Sequence, residues 1–351
     1  IFARWLHVLC LHCEEKLKTI VFSKYLAYMT GGAEKSMVEL LKKENKNNIE
    51  LLSFSNLNAF SAQDKKIKFP DGWKLSFIDH IFSFKIFVYL EYVLNRHKIQ
   101  QYFQTIGDES ILYSYSIYAP IAINSFAGKS RLFIRSETDL AINTNYHSGF
   151  KKLLKWLYVF IEYPAFCIYK RDLKKAIKKS ELICNSKYMA DKLMQLYNKK
   201  GYVEYPFVDI DRLKNDFNKL SNEIIDKGIV FVGDSPIKGL EVAKEIALLM
   251  PSIDFYFFSR YIKGSIKINN ITWMPWQKNE VDIYKYAKVV IVPSIWEEAY
   301  GRVSREAFLL NIPVLVSNRG GLPETVDGKQ NYIVEDYLNP EIWKEKIENF
   351  L

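Results

Sequence analysis

Two glutamates, Glu298 and Glu306, are the residues of this chain whose type and spacing best suit ligand chemistry. A carboxylate accepts several hydrogen bonds at once, so it suits the adjacent hydroxyls of a sugar or a ribose. The two glutamates stand eight positions apart, with Tyr300 and Gly301 between them. That step fits one carboxylate at the mouth of a loop and another two turns into a helix. The pattern predicts a site for a polyhydroxylated ligand.

The residues around the glutamates predict the elements that position them. Apolar residues 289–292 precede the pair, and the sequences Ile-Pro-Val-Leu-Val-Ser and Gly-Gly-Leu-Pro-Glu follow it. We therefore expect a strand, a glycine-containing loop and a helix whose first backbone N–H groups point at an anion. Such a site would hold a sugar, a diphosphate and a ribose in a row. Glutamates that flank a helix start also occur on solvated surfaces, and the surrounding motif is what favours a ligand site.

Residues 293–324 resemble the nucleotide-sugar site of GT-B glycosyltransferases, in particular the large retaining family four. By that resemblance, Glu298 would contact the hydroxyls of the donor sugar and Glu306 the ribose. The resemblance adds backbone amides at the phosphates and a loop that borders the base, which gives these further donor-binding residues: Met274, Trp276, Tyr300, Gly301 and Arg302. It implies transfer of a glycosyl group from a nucleotide to an acceptor hydroxyl, with the anomeric configuration retained.

The same resemblance assigns the donor diphosphate to a lysine. Lys238 lies in the loop that begins at Gly233, at the end of a predicted apolar strand, and it would balance the phosphate charge. The chain departs from the family at Asp234, where many members carry an arginine, and Arg302 is a candidate substitute. No side-chain nucleophile is evident. Glu298 and Lys238 are therefore the expected catalytic residues, acting by positioning and by charge stabilisation.

A glycine pair near the start of the chain predicts a second loop that approaches the ligand. An apolar strand leads to Gly31 and Gly32, and a helix follows. Glycines at such a point bring backbone amides close to a ligand, although a plain tight turn fits as well. The sequence Gly-Gly-Ala-Glu matches the opening of the same transferase family, which places Gly31 and Gly32 in the donor site.

The first half of the chain lacks one feature of that family. Many members carry a histidine near the donor sugar, and the corresponding residues 135–139 contain none. Glu137 or Asp139 would take a polar role there instead.

Asp209 and Asp211 have the spacing of a metal-binding Asp-x-Asp motif. They follow a proline in the predicted linker, where the family has a conventional Pro-x-x-Asp turn, so no metal is expected. Helix N-termini and Lys238 would supply the positive field instead. No resident cofactor is expected, because the nucleotide sugar is itself a substrate.

The pattern along the chain predicts two α/β domains. A length of 351 residues and a hydrophobic share of 49% suit two ordinary domains with filled cores. Strands alternate with helices throughout, which calls for parallel sheets covered on both faces. The resemblance implies the GT-B arrangement, in which two Rossmann-like, doubly wound parallel-sheet domains face a central cleft. The expected parts are an N-terminal stub (1–17), an acceptor-side domain (18–207), a linker (208–227), a nucleotide-sugar-binding domain (228–338) and a terminal helix that returns to the first domain (339–351).

The net charge of +9 favours anionic partners. Between Phe150 and Lys179 the sequence holds nine basic residues against two acidic ones, interleaved with aromatics. Such a segment suits an anionic bilayer that carries a lipid-linked acceptor, and it equally suits a lysine-rich solvated helix over a buried aromatic face. No nucleic-acid partner is expected, because no aromatic-basic recognition module is visible.

The cysteines and the apolar runs predict a cytoplasmic protein. Four cysteines in a chain of this length do not make a disulfide framework, and the cluster from His7 to Cys13 lacks a second pair of metal ligands. The apolar runs are too short, or too interrupted by charge, to span a bilayer. The protein is therefore expected in the cytoplasm, or peripherally on the inner face of the membrane, with a surface glycan or a glycolipid as its product.

Other functions remain open at this point. A hydride-transferring Rossmann enzyme is disfavoured, because no Gly-x-Gly-x-x-Gly follows the first strand. Another GT-B activity, such as a sugar-nucleotide epimerase, is an alternative. So is a non-catalytic nucleotide-sugar-binding protein, since Asp234 replaces a usual cation. Turnover of a nucleotide sugar separates the enzyme from the binding protein.

Overall fold

Two seven-stranded sheets organise the chain. The computed structural model describes residues 17–28, 32–44, 48–54, 70, 72–79, 82, 87–141, 150–220, 227–277 and 279–351, without the side chains of 150–159. The chain divides into two compact units, Ile1–Asn185 with Met189–Pro206, and Ser186–Tyr188 with Phe207–Leu351. The main part of the second unit begins at Phe207.

The sheet of the first unit is parallel throughout, in the order β3-β2-β1-β4-β5-β6-β7. Its strands are β1 (Lys18–Phe22), β2 (Ile49–Phe54), β3 (Trp73–Ile78), β4 (Ser110–Ser114), β5 (Lys129–Ile134), β6 (Glu181–Cys184) and β7 (Tyr202–Val203). The helices are α1 (Gly32–Lys43), α2 (Val88–Gln104), α3 (Ala119–Ser125), α4 (Phe150–Lys179) and α5 (Lys187–Tyr197). The strand order reverses between β1 and β4, as in doubly wound folds.

Burial on both faces explains why the central strands of this sheet are so apolar. All six residues of β2 and all five of β4 are buried. The helices packed on the sheet exclude water from both of its sides, so near-continuous apolar runs replace the alternation of a half-exposed strand. Val21, Leu51 and Tyr113 lie in one cluster with Leu41 of α1.

The sheet of the second unit has the order β10-β11-β9-β8-β12-β13-β14. All its pairings are parallel except that between the edge strand β10 and β11. The strands are β8 (Gly228–Val232), β9 (Phe255–Ser259), β10 (Ile266–Ile268), β11 (Ile271–Pro275), β12 (Ala287–Val292), β13 (Val314–Ser317) and β14 (Ile333–Val334). The helices are α6 (Ile210–Leu220), α7 (Leu240–Leu249), α8 (Val281–Tyr284), α9 (Arg302–Leu309), α10 (Leu322–Thr325) and α11 (Pro340–Glu348).

Alternation along the central strands builds a core on each face of this second sheet. Successive side chains of a strand point to opposite faces. Val230 and Val290 accordingly pack with Ala307 of α9 in one cluster. Their neighbours Phe231 and Ile291 lie in a second cluster with α7 and α11. The sheet thus carries α9 on one side, and the loops that follow β8 and β12 meet at its carboxyl edge.

The predicted linker at 208–227 is in large part a helix. Residues 210–220 form α6, and Leu213 is 2% exposed within the core that also contains Val230. The segment is rich in Asp, Asn and Lys because most of α6 faces water. A single buried leucine is a weak helical signal, which is why the sequence did not predict this helix.

The terminal helix contributes to the core of the second unit, where Trp343 and Ile347 of α11 are fully buried. The return of residues 339–351 to the first domain stays a prediction. The side chain of Asn339 caps the helix by accepting a hydrogen bond from Glu341 N at 3.1 Å. Residues 1–16 of the predicted N-terminal stub lie outside the described residues.

Candidate functional site

The two glutamates lie where the sequence places them, after a strand and around a helix start. β12 ends at Val292, Glu298 lies in the following loop, and α9 begins at Arg302. Glu306 therefore lies little more than one turn into the helix, not two. The helix starts late because Gly301 has a φ of 149°, outside the helical region.

Gly301 is required by the way in which the start of α9 is packed. A Cβ at this position would lie 2.6 Å from Leu322 Cδ2 and 2.8 Å from Ser304 Oγ. Ser304 Oγ donates a hydrogen bond to Gly301 O at 3.0 Å, and Thr325 Oγ1 donates to Ser304 Oγ at 2.7 Å. The first N–H groups of a helix have no partner within it, so this fixed helix start can receive an anion.

The Gly-Gly turn after β13 fixes the backbone of Glu298. Gly321 N donates to Glu298 O at 2.6 Å. Gly320 has a φ of 58°, and a Cβ there would overlap the backbone of Glu298. The glycine pair is thus needed both for a left-handed conformation and for close approach of the two loops.

Lys238 is brought close to Glu298 by contacts between the loop after β8 and the loop after β12. The turn Pro236–Lys238 follows β8, and Ile237 O accepts hydrogen bonds from Ile295 N at 3.1 Å and from Ser294 Oγ at 3.2 Å. Gly239 has a φ of 80°, and a Cβ there would overlap the carbonyl of Pro293. The loop after β8 therefore lies directly on the loop after β12.

This packing places the two expected catalytic side chains in contact. Lys238 Nζ lies 2.7 Å from Glu298 Oε1. The Lys238 side chain is 41% exposed and that of Glu298 is 13% exposed, so the pair is open to solvent mainly at the lysine. Gly233, which begins the lysine loop, donates from its N–H to Phe258 O at 3.2 Å.

Glu306 is buried and is held by two side chains. Tyr284 OH donates to Glu306 Oε2 at 2.9 Å, and Arg302 donates to Glu306 Oε1 from Nε at 3.0 Å and from Nη2 at 2.8 Å. Glu306 is 4% exposed. Burial, reinforced by the Glu306 charge, raises the pKa of Tyr284 well above its usual value. Arg302, a candidate phosphate cation by sequence, thus pairs with the ribose-assigned glutamate.

Tyr284 is a site residue that the sequence did not reveal. It ends α8, 22 positions before Glu306, and it carries no motif of its own. Tyr300, which the sequence did indicate, is 6% exposed, and burial raises the pKa of its phenol to about 12.

The predicted base-bordering residues differ in exposure. Met274 is 8% exposed and belongs to the core of the second unit, where Ser265 Oγ donates to its sulfur at 3.3 Å. Trp276 is 45% exposed, and the guanidinium of Arg260 lies 4.8 Å from the centroid of its ring. Met274 therefore packs in the core beneath the predicted base-bordering loop, whereas the ring of Trp276 is accessible to a ligand. Arg260 was missed by sequence because it stands alone after β9.

Asp234, where the resemblance leads us to expect an arginine in many members, makes a local contact. Its Oδ2 accepts a hydrogen bond from Arg260 N at 3.2 Å. The loops after β8 and β9 are joined through this carboxylate. Arg260 brings a cation to this loop, although its guanidinium lies over Trp276.

The predicted residues of the first unit lie at strand and helix ends. Gly32 is the first residue of α1, whereas Gly31 lies outside the described residues. Asp139 Oδ2 accepts hydrogen bonds from Arg135 N at 2.8 Å and from Ser136 N at 3.0 Å. Burial raises the pKa of Asp139 to about 6. This carboxylate fixes the turn after β5, so its described contacts are structural.

Asp209 likewise has a structural contact. Its Oδ1 accepts a hydrogen bond from Arg212 N at 3.0 Å and caps the start of α6. Asp211 lies in the first turn of that helix. Within the described parts of the chain, no three His, Cys, Asp or Glu side chains are grouped so as to hold a metal ion.

A protein-family model matches part of this unit. Residues 255–351 match the family model described as Glycosyl transferases group 1. The match includes both glutamates and the Gly-Gly turn, and it begins after Lys238.

Two curated relatives match part of the chain. The chain is 30% identical to Spore coat protein SA of Bacillus subtilis (strain 168) over 148 residues, 36% of this chain and 39% of that protein. It is 36% identical to D-inositol 3-phosphate glycosyltransferase of Corynebacterium jeikeium (strain K411) over 67 residues, 19% of this chain and 16% of that protein. The chain thus spans well under half the length of the curated relatives it matches.

Solved structures resemble nearly the whole chain. A structure of Anabaena Alr3699/HepE in complex with UDP and glucose has a TM-score of 0.62 at 13% identity, over 95% of this chain and 89% of that chain. WaaG, a glycosyltransferase involved in lipopolysaccharide biosynthesis, has a TM-score of 0.60 at 12% identity, over 95% of this chain and 90% of that chain. At such identities the likeness shows the fold alone. The predicted α/β class, with two parallel-dominated sheets as in GT-B glycosyltransferases, is confirmed.

Proposed function

We propose that this protein is a retaining glycosyltransferase of the family-four type, which moves a sugar from a nucleotide-sugar donor to an acceptor hydroxyl. One observation carries the proposal. Around the start of α9, Glu298 is paired with Lys238 and Glu306 with Arg302. Two carboxylates for hydroxyls, two cations and a helix N-terminus for phosphates are the groups that a nucleotide sugar needs. The family match over 255–351 and the UDP and glucose bound to the HepE protein support the choice.

The proposed mechanism relies on positioning and on charge. The departing nucleotide diphosphate gains negative charge as the glycosidic bond breaks. Lys238 and the amides of Tyr300, Gly301 and Arg302 would stabilise that charge without reorganising, because their loops are already fixed. Glu298 would orient the sugar hydroxyls, and Glu306 would hold the ribose. Trp276 would border the base, with Gly233 keeping the lysine loop close.

We propose that neither a metal nor a resident cofactor takes part. The cations at the site supply the charge that a metal would otherwise bring, and Asp209 is engaged as a helix cap. Transfer should therefore survive EDTA. The substitution Asp209→Asn keeps a good cap and removes the charge, so it should also leave transfer intact. If EDTA abolished transfer and manganese or magnesium restored it, a metal held by Asp209 and Asp211 would neutralise the phosphates instead.

The acceptor is proposed to be a glycan or a lipid-linked acceptor of a cell-surface polysaccharide, reached from the cytoplasmic face of the membrane. No helix in the described residues is both long and apolar enough to cross a bilayer. The basic helix α4 is the surface through which the protein would reach such an acceptor.

The test is a screen of UDP-, GDP-, ADP- and dTDP-sugars. Thermal unfolding reports binding, since a ligand at a hundred times its Kd stabilises by about 2.7 kcal/mol. Release of the nucleoside diphosphate in the presence of acceptor extracts reports turnover. We expect one nucleotide class to bind and to turn over, and the variant Glu306→Ala to lose binding.

Three other outcomes would change the proposal. Binding without turnover would favour a non-catalytic nucleotide-sugar-binding protein, the alternative raised by Asp234. Interconversion of the sugar without transfer would indicate an epimerase. If none of the donors binds, the site has been misassigned.

A further inference from the structure

Three residues lie side by side at the carboxyl edge of the second sheet. Phe258 of β9 is in register with Val232 of β8 on one side and with Met274 of β11 on the other. Two positions further along each chain segment stand Asp234, Arg260 and Trp276, which we name the edge row. Neighbouring strands lie about 4.8 Å apart, so the edge row crosses two strand spacings with Arg260 in the middle.

Two contacts hold the edge row together, and Arg260 makes both of them. Its backbone N–H donates a hydrogen bond to Asp234 Oδ2 at 3.2 Å, and its guanidinium lies 4.8 Å from the centroid of the Trp276 ring. The side chain of Arg260 is thus turned toward the ring on one side and away from the carboxylate on the other. The backbone is fixed by a hydrogen bond, whereas the guanidinium makes a cation–π contact, which is weak at an exposed site.

Arg260 differs from the other arginines of the second unit in its lack of a carboxylate partner. The other four each form an ion pair with an acidic side chain: Arg212 with Glu280, Arg302 with Glu306, Arg305 with Asp327 and Arg319 with Glu297. Within the described parts of the chain, no acidic side chain forms an ion pair with the guanidinium of Arg260. The residue is exposed, so its charge is available to an anion that binds from outside.

The edge row stands beside the loop that carries Lys238. In the sheet, β8 lies between β9 and β12, and the loop after β8 holds both Asp234 and Lys238. Position 260 is therefore about one strand spacing, 4.8 Å, from the start of the loop that is proposed to meet the donor phosphates. A guanidinium that leaves the ring of Trp276 can turn toward those phosphates without a change in the backbone.

We propose that Arg260 is a second phosphate-binding cation of the donor site, which lies on Trp276 until a nucleotide binds. The base of the nucleotide then takes the place of the guanidinium on the ring, and the guanidinium turns to the diphosphate. Asp234 holds the backbone of Arg260 in place during this exchange. The inference rests on the proposed function, because it requires a nucleotide at this site.

The chemistry of an arginine suits both positions of the side chain. A guanidinium is planar and weakly hydrated, so it stacks on an aromatic ring at little cost, and it also donates paired hydrogen bonds to phosphate oxygens. A nucleobase is planar as well, and stacking on an aromatic side chain is a common way in which proteins bind it. The base and the guanidinium therefore compete for the ring of Trp276, and the diphosphate gives the displaced guanidinium a new partner.

The exchange predicts that loss of the guanidinium has opposite effects on two kinds of ligand. A nucleoside has a base and no phosphate, so it displaces the guanidinium without giving it a new partner. Arg260→Gln should therefore bind nucleosides roughly 2- to 5-fold more tightly than the parent does, the factor that corresponds to an exposed cation–π contact. A nucleoside diphosphate loses a charged hydrogen-bond donor, so the same variant should bind it roughly 5- to 30-fold more weakly.

A control and a rescue variant separate this role from a general effect of charge or folding. Lys263→Gln is the matched control, because Lys263 is exposed, lies three positions beyond Arg260 and loses the same charge. It should bind nucleosides and nucleoside diphosphates as the parent does. The double variant Asp234→Arg with Arg260→Gln moves the cation one strand spacing nearer to Lys238 and leaves Trp276 uncovered. It should recover affinity for the diphosphate and keep the tighter binding of the nucleoside.

Titration calorimetry with UDP, GDP, ADP and dTDP, and with the four matching nucleosides, tests the proposal on protein whose folding is checked by circular dichroism. Nucleosides that bind weakly are measured by their competition with the diphosphate. Tighter nucleoside binding together with weaker diphosphate binding in Arg260→Gln, with the Lys263→Gln control unchanged, supports the exchange.

Other results overturn it. If a diphosphate binds the parent and Arg260→Gln binds both ligands equally well, or both more weakly, Arg260 does not move between the ring and the phosphates. If none of the diphosphates binds the parent, the proposed function fails, and this inference fails with it. The affinity of the parent therefore distinguishes failure of the proposed function from failure of the exchange alone.

Discussion

Lys238 and Glu298, 60 positions apart in the chain, form an ion pair with 2.7 Å between Nζ and Oε1. In the proposed enzyme the lysine receives the donor diphosphate and the glutamate receives the sugar hydroxyls. The diphosphate and Glu298 therefore compete for one ammonium group. When a complete nucleotide sugar binds, its sugar hydroxyls replace Lys238 as hydrogen-bond donors to Glu298. A free nucleoside diphosphate has no sugar, so the loss of the Lys238–Glu298 ion pair is not compensated.

Glu298→Gln should accordingly strengthen the binding of a free nucleoside diphosphate while it lowers transfer. Partly exposed ion pairs contribute about 0.2–1 kcal/mol, so we expect affinity for UDP, used as the probe, to rise by roughly 1.5- to 5-fold. Titration calorimetry measures the change. Glu297→Gln is the matched control, because Glu297 Oε1 pairs with Arg319 at 2.8 Å and not with the lysine. Weaker UDP binding in Glu298→Gln would show that Lys238 does not hold the phosphates.

Tyr284→Phe tests whether the buried tyrosine holds Glu306 in position. Loss of a hydrogen bond to a charged acceptor should cost about 1.5–3 kcal/mol, part of it in nucleotide affinity and part in stability. Nucleotide affinity and the free energy of unfolding are measured together. Tyr286→Phe is the control, since Tyr286 packs against Tyr256 and Phe258 without touching Glu306 in the described contacts. A loss of stability with unchanged nucleotide affinity would leave Tyr284 with a packing role only.

Gly320→Ala should disturb the site through the backbone of Glu298. A left-handed conformation costs a non-glycine residue roughly 1–2 kcal/mol, and here the added Cβ would also overlap Glu298. Gly328→Ala is the control, because Gly328 has a φ of 69° with nothing within 4 Å of the added Cβ. We expect both variants to lose stability in chemical denaturation, and only Gly320→Ala to lose transfer beyond its loss of folded protein. Equal transfer by the two variants would argue against a fixed position for Glu298.

Asp139 should make the stability of the first unit depend on pH. Its pKa is raised from 3.8 to about 6 by burial, so the folded state binds the proton more tightly than the unfolded chain does. The resulting stability is present below about pH 4 and is lost as the pH rises through about 6. Asp139→Asn removes this dependence, worth at most about 3 kcal/mol at 1.36 kcal/mol per pKa unit. Parallel pH profiles of unfolding for parent and variant would contradict the assignment.

Much of the fold could be predicted because its signals are local. The strands β8, β12 and β13 are short apolar runs with turn residues beside them, and alternation with helical segments indicates parallel sheets. Helix α6 was not predicted within the linker, because it buries little more than Leu213. The amphipathic pattern of residues 339–351 shows that one face of the helix is buried but not against which partner.

The sequence could predict in which loop or helix each candidate residue lies, but not which side chains pair with one another. The order of strand, loop and helix follows from the spacing of Glu298 and Glu306. The pairing of Arg302 with Glu306, and the part played by Tyr284, depend on side-chain geometry between elements. Met274 was indicated by its position in a motif, but its burial follows from the packing of β11 on the core. The membrane hypothesis rested on composition, and only the structure shows that both acidic side chains of α4 are buried.

The hydrogen bond from Gly321 N to Glu298 O also limits how this protein can be re-engineered. In the proposed enzyme, an exchange of the loop that carries Glu298 is a direct way to alter donor preference. Here the position of the loop that carries Glu298 is fixed by the Gly-Gly turn, which lies more than twenty positions later in the chain. The backbone of that loop in turn packs directly against the two glycines. A chimera that receives residues 293–302 alone would combine a loop from one protein with a Gly-Gly turn that packs against the loop of another. The smallest exchangeable part of this site runs from 293 to 324.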